Sequence, residues 1–265
     1  ASSNVPAGYK VEEVDGEWKV NFYPVAKIGE KGYATLADAV AAVPDGETIT
    51  LVADETFTNT NYYNNGGWKD GLGYSGDKSF TIDLGGHTIK QDGSLNDYLM
   101  WVKNDGAKAN TITLKNGTMD AGTTAYSAFV TASSNKQTIT VNLENINLIN
   151  NISNGAVVKA RGGSVLNVKA GTVITGKNSY VGIEAVGNNT VVNVYDGAKI
   201  YQNGTSSYVG AIIGASYNAT LNIYGGEGKS AKCGIIVMST GATINVSGGE
   251  WTANGDGTVA GGNQG

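Results

Sequence analysis

Charged residues are scarce in this chain, and three reactive residue types are almost missing. Only 15% of the 265 residues are charged, cysteine and histidine occur once each, as Cys233 and His87, and Arg161 is the single arginine. Guanidinium groups are preferred partners of phosphates and carboxylates, so their scarcity argues against an anionic ligand. A single cysteine excludes an intrachain disulfide. The apolar run at 233–238 predicts that this cysteine is a buried small hydrophobe and not a nucleophile.

The chain also lacks the features of several functional classes. Its formal net charge is −5 and its pI is about 4.9, so we expect no nucleic-acid partner, which would require a basic field. No apolar run of 18 residues occurs, so we expect no direct membrane insertion. His87 has no second histidine or cysteine to share a metal with, and we expect neither a metal site nor a cofactor. The glycine-rich end, 261–265, carries no visible cap, and we expect a longer natural chain.

What the chain has instead is glycine, 39 residues of it, and a four-residue pattern that recurs eight times. The second and fourth positions of the pattern are always aliphatic, and the third is always Thr, Asp or Asn. Such alternation predicts a strand with one buried face. The eight tetrads are residues 48–51, 81–84, 111–114, 140–143, 165–168, 191–194, 220–223 and 243–246.

The spacing of the tetrads predicts the fold class. Successive tetrads end between 23 and 33 residues apart, a step that fits coils of two or three short strands joined by turns. We therefore predict an all-β chain, a right-handed parallel β-helix of about eight coils over residues 48–265. The third positions should form an outward ladder from Thr50 to Asn245. The second positions should form one buried column of Ile49, Ile82, Ile112, Val141, Leu166, Val192, Leu221 and Ile244.

One segment breaks the β pattern and predicts a short capping helix. Thr35 suits the N-cap position, with Asp38 three residues later. The apolar face of the helix consists of Leu36, Val40 and Val43. We expect residues 25–47 to form a hairpin and helix over the first coil, because an open solenoid end exposes both core and strand edges. Residues 1–24 are interpreted as an N-terminal strand or linker segment.

The same stretch resembles a known family. Residues 25–40, VAKIGEKGYATLADAV, followed by DGETITL at 45–51, are similar to the opening of pectin-lyase-like β-helix units in large surface proteins of gut bacteria. The phrase IDLGGHTI at 82–89 is similar to the first full coil of those units. The resemblance implies a bacterial protein that is secreted or attached to the cell surface. It implies no single activity, because this fold hosts lyases, hydrolases and binding proteins.

An enzyme of this fold would need acidic or basic groups on adjacent coils. Glycoside hydrolysis uses two carboxyl groups roughly 5 to 9.5 Å apart, and the tetrads offer few carboxylates. The best constellation is Lys159, Arg161 and Glu184, expected to point outward from adjacent coils beside Thr131. In a lyase, Lys159 or Arg161 would be the base and Glu184 a metal ligand. A surface ion pair is the favoured alternative, since one carboxylate is too few for calcium.

Aromatic residues provide the candidate recognition surface. The insertion between Thr56 and Lys78 combines Tyr and Trp with Asn and Gly, a composition typical of adaptable binding surfaces, while Tyr195 and Tyr224 occupy one outward column. Simple packing of these rings against neighbouring turns is the alternative. The predicted ligand-binding residues are Tyr62, Tyr63, Trp68, Tyr74, Tyr195 and Tyr224.

Two further features have structural interpretations. Glu144 falls between Lys115 and Lys169 in the column after the tetrads, which predicts a ladder of ion pairs. The third positions of the tetrads, Thr and Asn, should hydrogen-bond to one another along the stack. His87 falls in a turn and is interpreted as a structural corner residue.

Three functions remain open at this point. A non-catalytic binding or adhesin module, contacting a host glycoprotein, mucin, immunoglobulin or polysaccharide, is favoured because no cluster of three outward carboxylates is visible. A polysaccharide-active lyase or glycoside hydrolase is the alternative, and a purely structural stalk is the third. We expect a monomer whose partner is a host surface protein or glycan.

Overall fold

The computed structural model describes most of the chain and confirms the predicted fold class. Nearly all of it is β-structure, with parallel strands stacked in coils and one short helix. The described residues are 5, 8–57, 63–65, 68–92, 98–123, 125–133, 137–152, 155–204, 211–231, 234–253 and 260–261.

Two hairpins and a helix precede the solenoid. They are β1 Tyr9–Val14, β2 Glu17–Phe22, β3 Ala26–Ile28, β4 Lys31–Tyr33 and α1 Leu36–Ala42. Strands β1 and β2 pair only with each other, in antiparallel register. Strand β3 pairs with β4 and also runs antiparallel to the first tetrad strand, so the second hairpin continues the sheet of the first coil.

The solenoid strands follow in chain order, two or three to a coil. The first coil contains β5 Thr48–Leu51, β6 Glu55–Phe57 and β9 Leu72–Ser75, and the second contains β10 Phe80–Asp83, β11 Thr88–Gln91 and β12 Tyr98–Asn104. The third coil contains β13 Asn110–Asp120 and β14 Ser127–Ser133, and the fourth contains β15 Ile139–Asn150 and β16 Ala156–Arg161. An insertion in the first coil holds β7 Tyr63–Asn65 and β8 Trp68–Asp70. The fifth coil contains β17 Val165–Val168, β18 Val173–Gly176 and β19 Val181–Val186, and the sixth contains β20 Val191–Val194, β21 Lys199–Gln202 and β22 Ala211–Ser216. The seventh coil contains β23 Thr220–Ile223, β24 Glu227–Ser230 and β25 Gly234–Met238, and the eighth contains β26 Thr243–Val246, β27 Glu250–Ala253 and β28 Ala260–Gly261.

Parallel pairing arranges these strands on three faces. The first face stacks the tetrad strands from β5 to β26, the second runs from β6 to β27, and the third from β9 to β28; β13 and β15 are long enough to serve both the first and the second face. Pairing extends over eight rungs, but regular turns number about five, fewer than the eight expected. The first coil carries the β7–β8 insertion, and strand β26 of the last coil is largely exposed.

The predicted buried column is correct except at one step in its register and at its last member, Ile244, which is only partly buried. From Ile112 upward the second positions pair in register as far as Leu221 and Ile244, but Ile82 pairs with Leu114 and Phe80 takes the place beside Ile112. The corner after β10 holds two more residues than the corner in the next coil, because Asp83 pairs with Lys115 while Thr88 pairs with Thr118. A shift of two residues preserves the inward and outward alternation, so the core stays apolar.

The capping helix lies where the sequence places it. Thr35 is the N-cap, and its hydroxyl accepts the Asp38 amide at 3.0 Å. Leu36, Val40 and Val43 are all buried and belong to the same core cluster as the first coil. The helix contacts β3, β4, β5 and β9, so its apolar stripe covers the end of the solenoid core.

The outward ladder on the first face is a chain of amide hydrogen bonds. Asn167 donates to Asn142, Asn193 to Asn167, Asn222 to Asn193 and Asn245 to Asn222, each through Nδ2 to Oδ1 at 2.9 Å. Asn142 in turn donates to the Thr113 hydroxyl at 3.3 Å. The side chains thus satisfy one another along the axis, as the tetrad pattern predicts.

Candidate functional site

A cleft of about 610 Å³ opens between α1 and β9. The helix side is formed by small apolar side chains, and the opposite side continues from β9 into the turn that follows it. Small-molecule sites usually have volumes of roughly 300 to 1,000 Å³ and combine apolar walls with a few polar groups. The lining residues are Thr35, Ala37, Val40, Ala41, Glu55 and the segment 71–78.

Glu55 contributes a carboxyl group to this cleft from inside the first coil. It pairs with Ile89, whose side chain is in the core, and its own exposure is only 7%. One carboxyl oxygen, Oε2, accepts the backbone amide of Leu36 at 2.9 Å. Burial raises the pKa of Glu55 to about 7 against the lowering effect of the Leu36 bond, and the negative charge of Asp38 adds to the rise. The group therefore titrates near neutral pH.

Tyr74, a predicted ligand-binding residue, lines the same cleft. Its ring packs edge-on against Phe80, with centroids 4.8 Å apart. Its hydroxyl accepts the amide of Lys78 at 2.8 Å and donates to the carbonyl of Lys78 at 3.4 Å. Burial raises the pKa of Tyr74. The ring is thus held in place by the turn, and its hydroxyl already has partners.

The aromatic insertion forms an antiparallel ribbon. Strands β7 and β8 pair with Tyr63 opposite Asp70 and Trp68 opposite Asn65, and the backbone of β8 lies beside β12 on the third face. Tyr62 lies outside the described residues. The insertion lies between β6, which ends at Phe57, and Gly71, which lines the cleft described above.

Tyr195 and Tyr224 stack on each other at a corner between the first and second faces. Their ring centroids are 5.4 Å apart with an interplanar angle of 28°. The rings remain 37% and 51% exposed. Each follows the last residue of a tetrad strand, and the amide of Tyr195 bonds Val168 while that of Tyr224 bonds Val194, so regular sheet pairing fixes both backbones.

The residues that directly follow the tetrads form one row along the axis, and the expected ion pairs lie in this row in the coils before Tyr195. Lys169 Nζ lies 2.7 Å from Glu144 Oε1, as the sequence predicts. Lys115 instead pairs with Asp83 at 3.4 Å, because the two-residue shift at the second coil brings Asp83 opposite Lys115. The row therefore runs from two ion pairs to a pair of stacked rings.

A polar trough of about 320 Å³ follows the same corner. Asn145 donates to Asn116 at 3.1 Å, and Asn147 donates to the Thr118 hydroxyl at 3.5 Å. Gly171 borders the trough, and its amide bonds Gly197 of the next coil at 3.0 Å, beside Tyr195 in sequence. Glycines leave the trough floor open, while the amides and hydroxyls line it. The other lining residues are Gly86 and Gly117.

The predicted catalytic constellation is brought together only in part. Lys159 and Glu184 are paired strand neighbours, and their charged atoms lie 2.8 Å apart. The guanidinium of Arg161 lies over the ring of Tyr98, 5.6 Å from its centroid. Thr131, expected beside them, is fully buried, because the residue that pairs with Lys159 is Val130 and Thr131 takes the inward position next to it.

Two residues singled out in the sequence have different outcomes. His87 lies at the corner of the second coil, where Nδ1 is 3.3 Å from Asp54 Oδ1, and the same oxygen accepts the amide of Thr88 at 2.8 Å. The pKa of Asp54 is lowered first by the Thr88 bond and further by His87. Cys233 lies outside the described residues.

Glu55 is the residue that sequence reasoning missed. The short strand Glu55–Phe57 alternates between buried and partly exposed positions, with Glu55 on the buried side together with Phe57. The feature that identifies Glu55 is a carboxylate at a position where the neighbouring coils have aliphatic residues. This feature can be recognised only once the pairing of Glu55 with Ile89 is known.

Within the described part of the chain, no three His, Cys, Asp or Glu side chains are placed to hold a metal ion. No helix in that part is both long and apolar enough to cross a membrane. Comparison with protein-family models, curated proteins and solved structures finds no match to this chain.

Proposed function

We propose that this chain is a non-catalytic glycan-binding module, an adhesin-type β-solenoid of a bacterial protein that is secreted or attached to the cell surface. Its partner is a glycan chain of a host glycoprotein or mucin, or a free polysaccharide. The observation that carries the proposal is the exposed stacked pair of Tyr195 and Tyr224, held on the same corner as the polar trough.

The stacked tyrosines provide an apolar platform. The electron-rich face of an aromatic ring attracts the weakly positive C–H groups on the face of a sugar ring. Tyr224 is half exposed, and its hydroxyl adds a polar edge to that platform. Because both backbones belong to a regular sheet, little conformational entropy is lost when a ligand binds.

The trough provides hydrogen-bonding groups at a distance from the tyrosines that an oligosaccharide chain can span. Amide and hydroxyl side chains, among them Asn147 and Thr118, can both donate and accept, which suits sugar hydroxyls better than charged groups. Asn116 belongs to the third coil and Tyr224 to the seventh, and four steps between adjacent strands cover roughly 19 Å. A linear oligosaccharide lying along the axis would therefore contact both features.

The sequence resemblance supports the location and the class of protein. Residues 25–40 and 45–51 are similar to the opening of pectin-lyase-like units in large surface proteins of gut bacteria, and residues 82–89 are similar to the first full coil of those units. The aromatic insertion with Tyr63 and Trp68 would add a second contact area for a larger glycoprotein.

A glycan array followed by titration of the best oligosaccharide tests the proposal. We expect Tyr224→Ala and Tyr195→Ala each to weaken binding at least tenfold, about 1.4 kcal/mol. Tyr126→Ala is the matched control, because Tyr126 is similarly exposed, at 44%, but precedes the third face at another corner. Equal losses in all three variants, or no binding to any glycan, would contradict the proposal.

The alternative, a polysaccharide lyase or hydrolase, has weaker support. Lys159 and Glu184 neutralise each other at 2.8 Å, and Arg161 is engaged with Tyr98. We expect incubation with pectin, alginate and glycosaminoglycans to release no unsaturated or reducing ends above background. Turnover that disappears in Glu184→Gln or Lys159→Ala would favour the enzyme.

A further inference from the structure

An ionisable residue occupies the first rung of an otherwise apolar row inside the solenoid. On the second face, the inward row begins at Glu55 and continues through paired aliphatic or thioether side chains. The next members of the row are Ile89, Met119, Leu148, Ile174 and Ile200. Burying a carboxyl group among such neighbours is unfavourable unless its polar atoms are used. Glu55 uses one oxygen for the amide of Leu36.

Glu55 lines a cleft whose own side-chain donors are largely engaged. The hydroxyl of Thr35 donates to Asp38 at 2.7 Å, and that of Tyr74 donates to the Lys78 carbonyl. Lys78 Nζ donates to the Val43 carbonyl at 2.9 Å. Among the hydrogen bonds of the described residues, none reaches Oε1 of Glu55. The cleft therefore offers a carboxyl oxygen, Oε1 of Glu55, to which a ligand can donate a hydrogen bond.

The charge of the cleft selects the sign of that ligand. Glu55 and Asp77 line it together with the ammonium of Lys78, and Asp38 stands on the adjacent helix. A second ammonium, that of Lys108, interacts with Asp77 but forms its ion pair with Asp45. One oxygen of Asp77 accepts the amide of Ala107 at 2.9 Å, and the carboxylate is not neutralised by any ion pair among the described residues. The balance favours a cation over an anion.

We propose that this cleft binds a small organic cation, a primary ammonium group carried on a short apolar body. The ammonium donates to Oε1 of Glu55, and the apolar body lies between the helix side chains Ala37, Val40 and Ala41 and strand β9. A volume of about 610 Å³ accommodates such a molecule. The site is separate from the tyrosine corner and does not depend on glycan binding.

Binding of a cation to this carboxyl group is coupled to a proton. The carboxyl group of Glu55, with a pKa of about 7, is about one-tenth ionised at pH 6 and about nine-tenths ionised at pH 8. The other groups that face it are Asp38 on α1 and Tyr74, Asp77 and Lys78 on β9 and its turn. The ammonium requires the ionised form, so affinity rises about tenfold from pH 6 to pH 8, and binding releases protons below pH 7.

Isothermal titration of the whole chain with 2-phenylethylamine tests this proposal. The amine stays protonated at pH 6 and pH 8, and 2-phenylethanol is its neutral match. We expect the amine to bind at millimolar or lower concentration at pH 8, about tenfold more weakly at pH 6, and at least tenfold more tightly than the alcohol. Buffers of different ionisation enthalpy should reveal proton release at pH 6.

Variants separate the carboxyl group from the fold. Glu55→Gln keeps an oxygen for the amide of Leu36 and should lose at least tenfold in amine affinity together with the pH dependence. Glu184→Gln, a partly exposed carboxylate on the third face, is the matched control and should bind as the wild type does. Equal binding of amine and alcohol, no amine binding at pH 8, or unchanged amine binding by a folded Glu55→Gln would overturn the proposal. Failure of glycan binding would leave this result unaffected.

Discussion

The backbone amide of Leu36 donates to Oε2 of Glu55 at 2.9 Å, which ties the first residue of the capping helix to the interior of the first coil. Leu36 itself is fully buried, and Thr35 caps the same turn through its hydroxyl. The helix is thus attached by a polar bond at its start as well as by its apolar stripe. A buried carboxyl group holds the lid, and its ionisation affects the stability of the fold.

Replacing Glu55 with Gln should make stability less dependent on pH. The folded chain holds the Glu55 proton up to a pKa of about 7, whereas an ordinary Glu releases it near 4.5. Between these values the unfolded state binds fewer protons, so the free energy of unfolding falls as pH rises, by up to roughly 3 kcal/mol. Gln cannot ionise and avoids that loss. Urea unfolding at pH 4.5 and pH 8 measures the difference.

We expect the Gln variant to be the more stable protein at pH 8 and to match the wild type at pH 4.5. Glu184→Gln serves as the control, since Glu184 is partly exposed and paired with Lys159. Parallel pH profiles for wild type and Glu55→Gln would show that Glu55 titrates normally.

Val40→Asp should destabilise the lid. Val40 is 4% exposed, and an aspartate there would bury a charge without a cation to pair with. We expect a loss of about 3 kcal/mol in the free energy of unfolding, measured by chemical denaturation. Ala41→Asp is the control at the next, exposed helix position. If both variants lose equally little, the helix does not seal the core.

Asn193→Ala should cost more than Asn245→Ala, although both residues belong to the same ladder. Asn193 donates to Asn167 and accepts from Asn222, whereas the one ladder bond of Asn245 is its donation to Asn222. We expect a loss of about 1 to 2 kcal/mol for Asn193 and about half of that for Asn245, by urea unfolding. The opposite order would mean that the ladder bonds add little.

The double variant Tyr63→Ala and Trp68→Ala tests the insertion as a contact area. Tyr and Trp dominate interface energetics, and an insertion whose two ends emerge from a rigid coil loses less entropy on binding. We expect at least tenfold weaker binding to a mucin-type glycoprotein, about 1.4 kcal/mol, measured by surface plasmon resonance. The melting temperature should stay within a few degrees. Asn64→Ala with Lys69→Ala, on the rung between them, is the control. Early unfolding of the aromatic variant would indicate a structural role instead.

The first face was predictable because the tetrads repeat. Thr, Asn and aliphatic residues return at fixed places in each coil, so burial, ladder and lid all follow from local pattern and period. The step at Ile82 was not predictable in this way, because Gly85 and Gly86 lengthen the corner without changing the tetrad itself. Both have positive φ values, 57° and 85°, which glycine adopts without strain. Corner geometry, and not the strand pattern, decided the pairing there.

Candidate residues were predictable where they share the repeat. Tyr195 and Tyr224 follow their tetrads by the same interval, so their stacking in one row follows from register alone. Glu55 does not share it, because its strand, Glu55–Phe57, is only three residues long and lies outside the tetrads. The pairing of Lys115 with Asp83 was missed for the same reason as the step at Ile82: it depends on the longer corner.

The asparagine ladder gives the solenoid a direction. Each amide from Asn142 to Asn245 presents its NH₂ group to the preceding coil, and each oxygen in this stretch that receives a bond receives it from the coil that follows. If one interior amide turned over, two oxygens would meet on one side and two NH₂ groups on the other, and both bonds would be lost. All the amides must therefore keep one sense together. A coil duplicated or transplanted into this stretch would fit only if it brought to this row a side chain that donates backward and accepts forward.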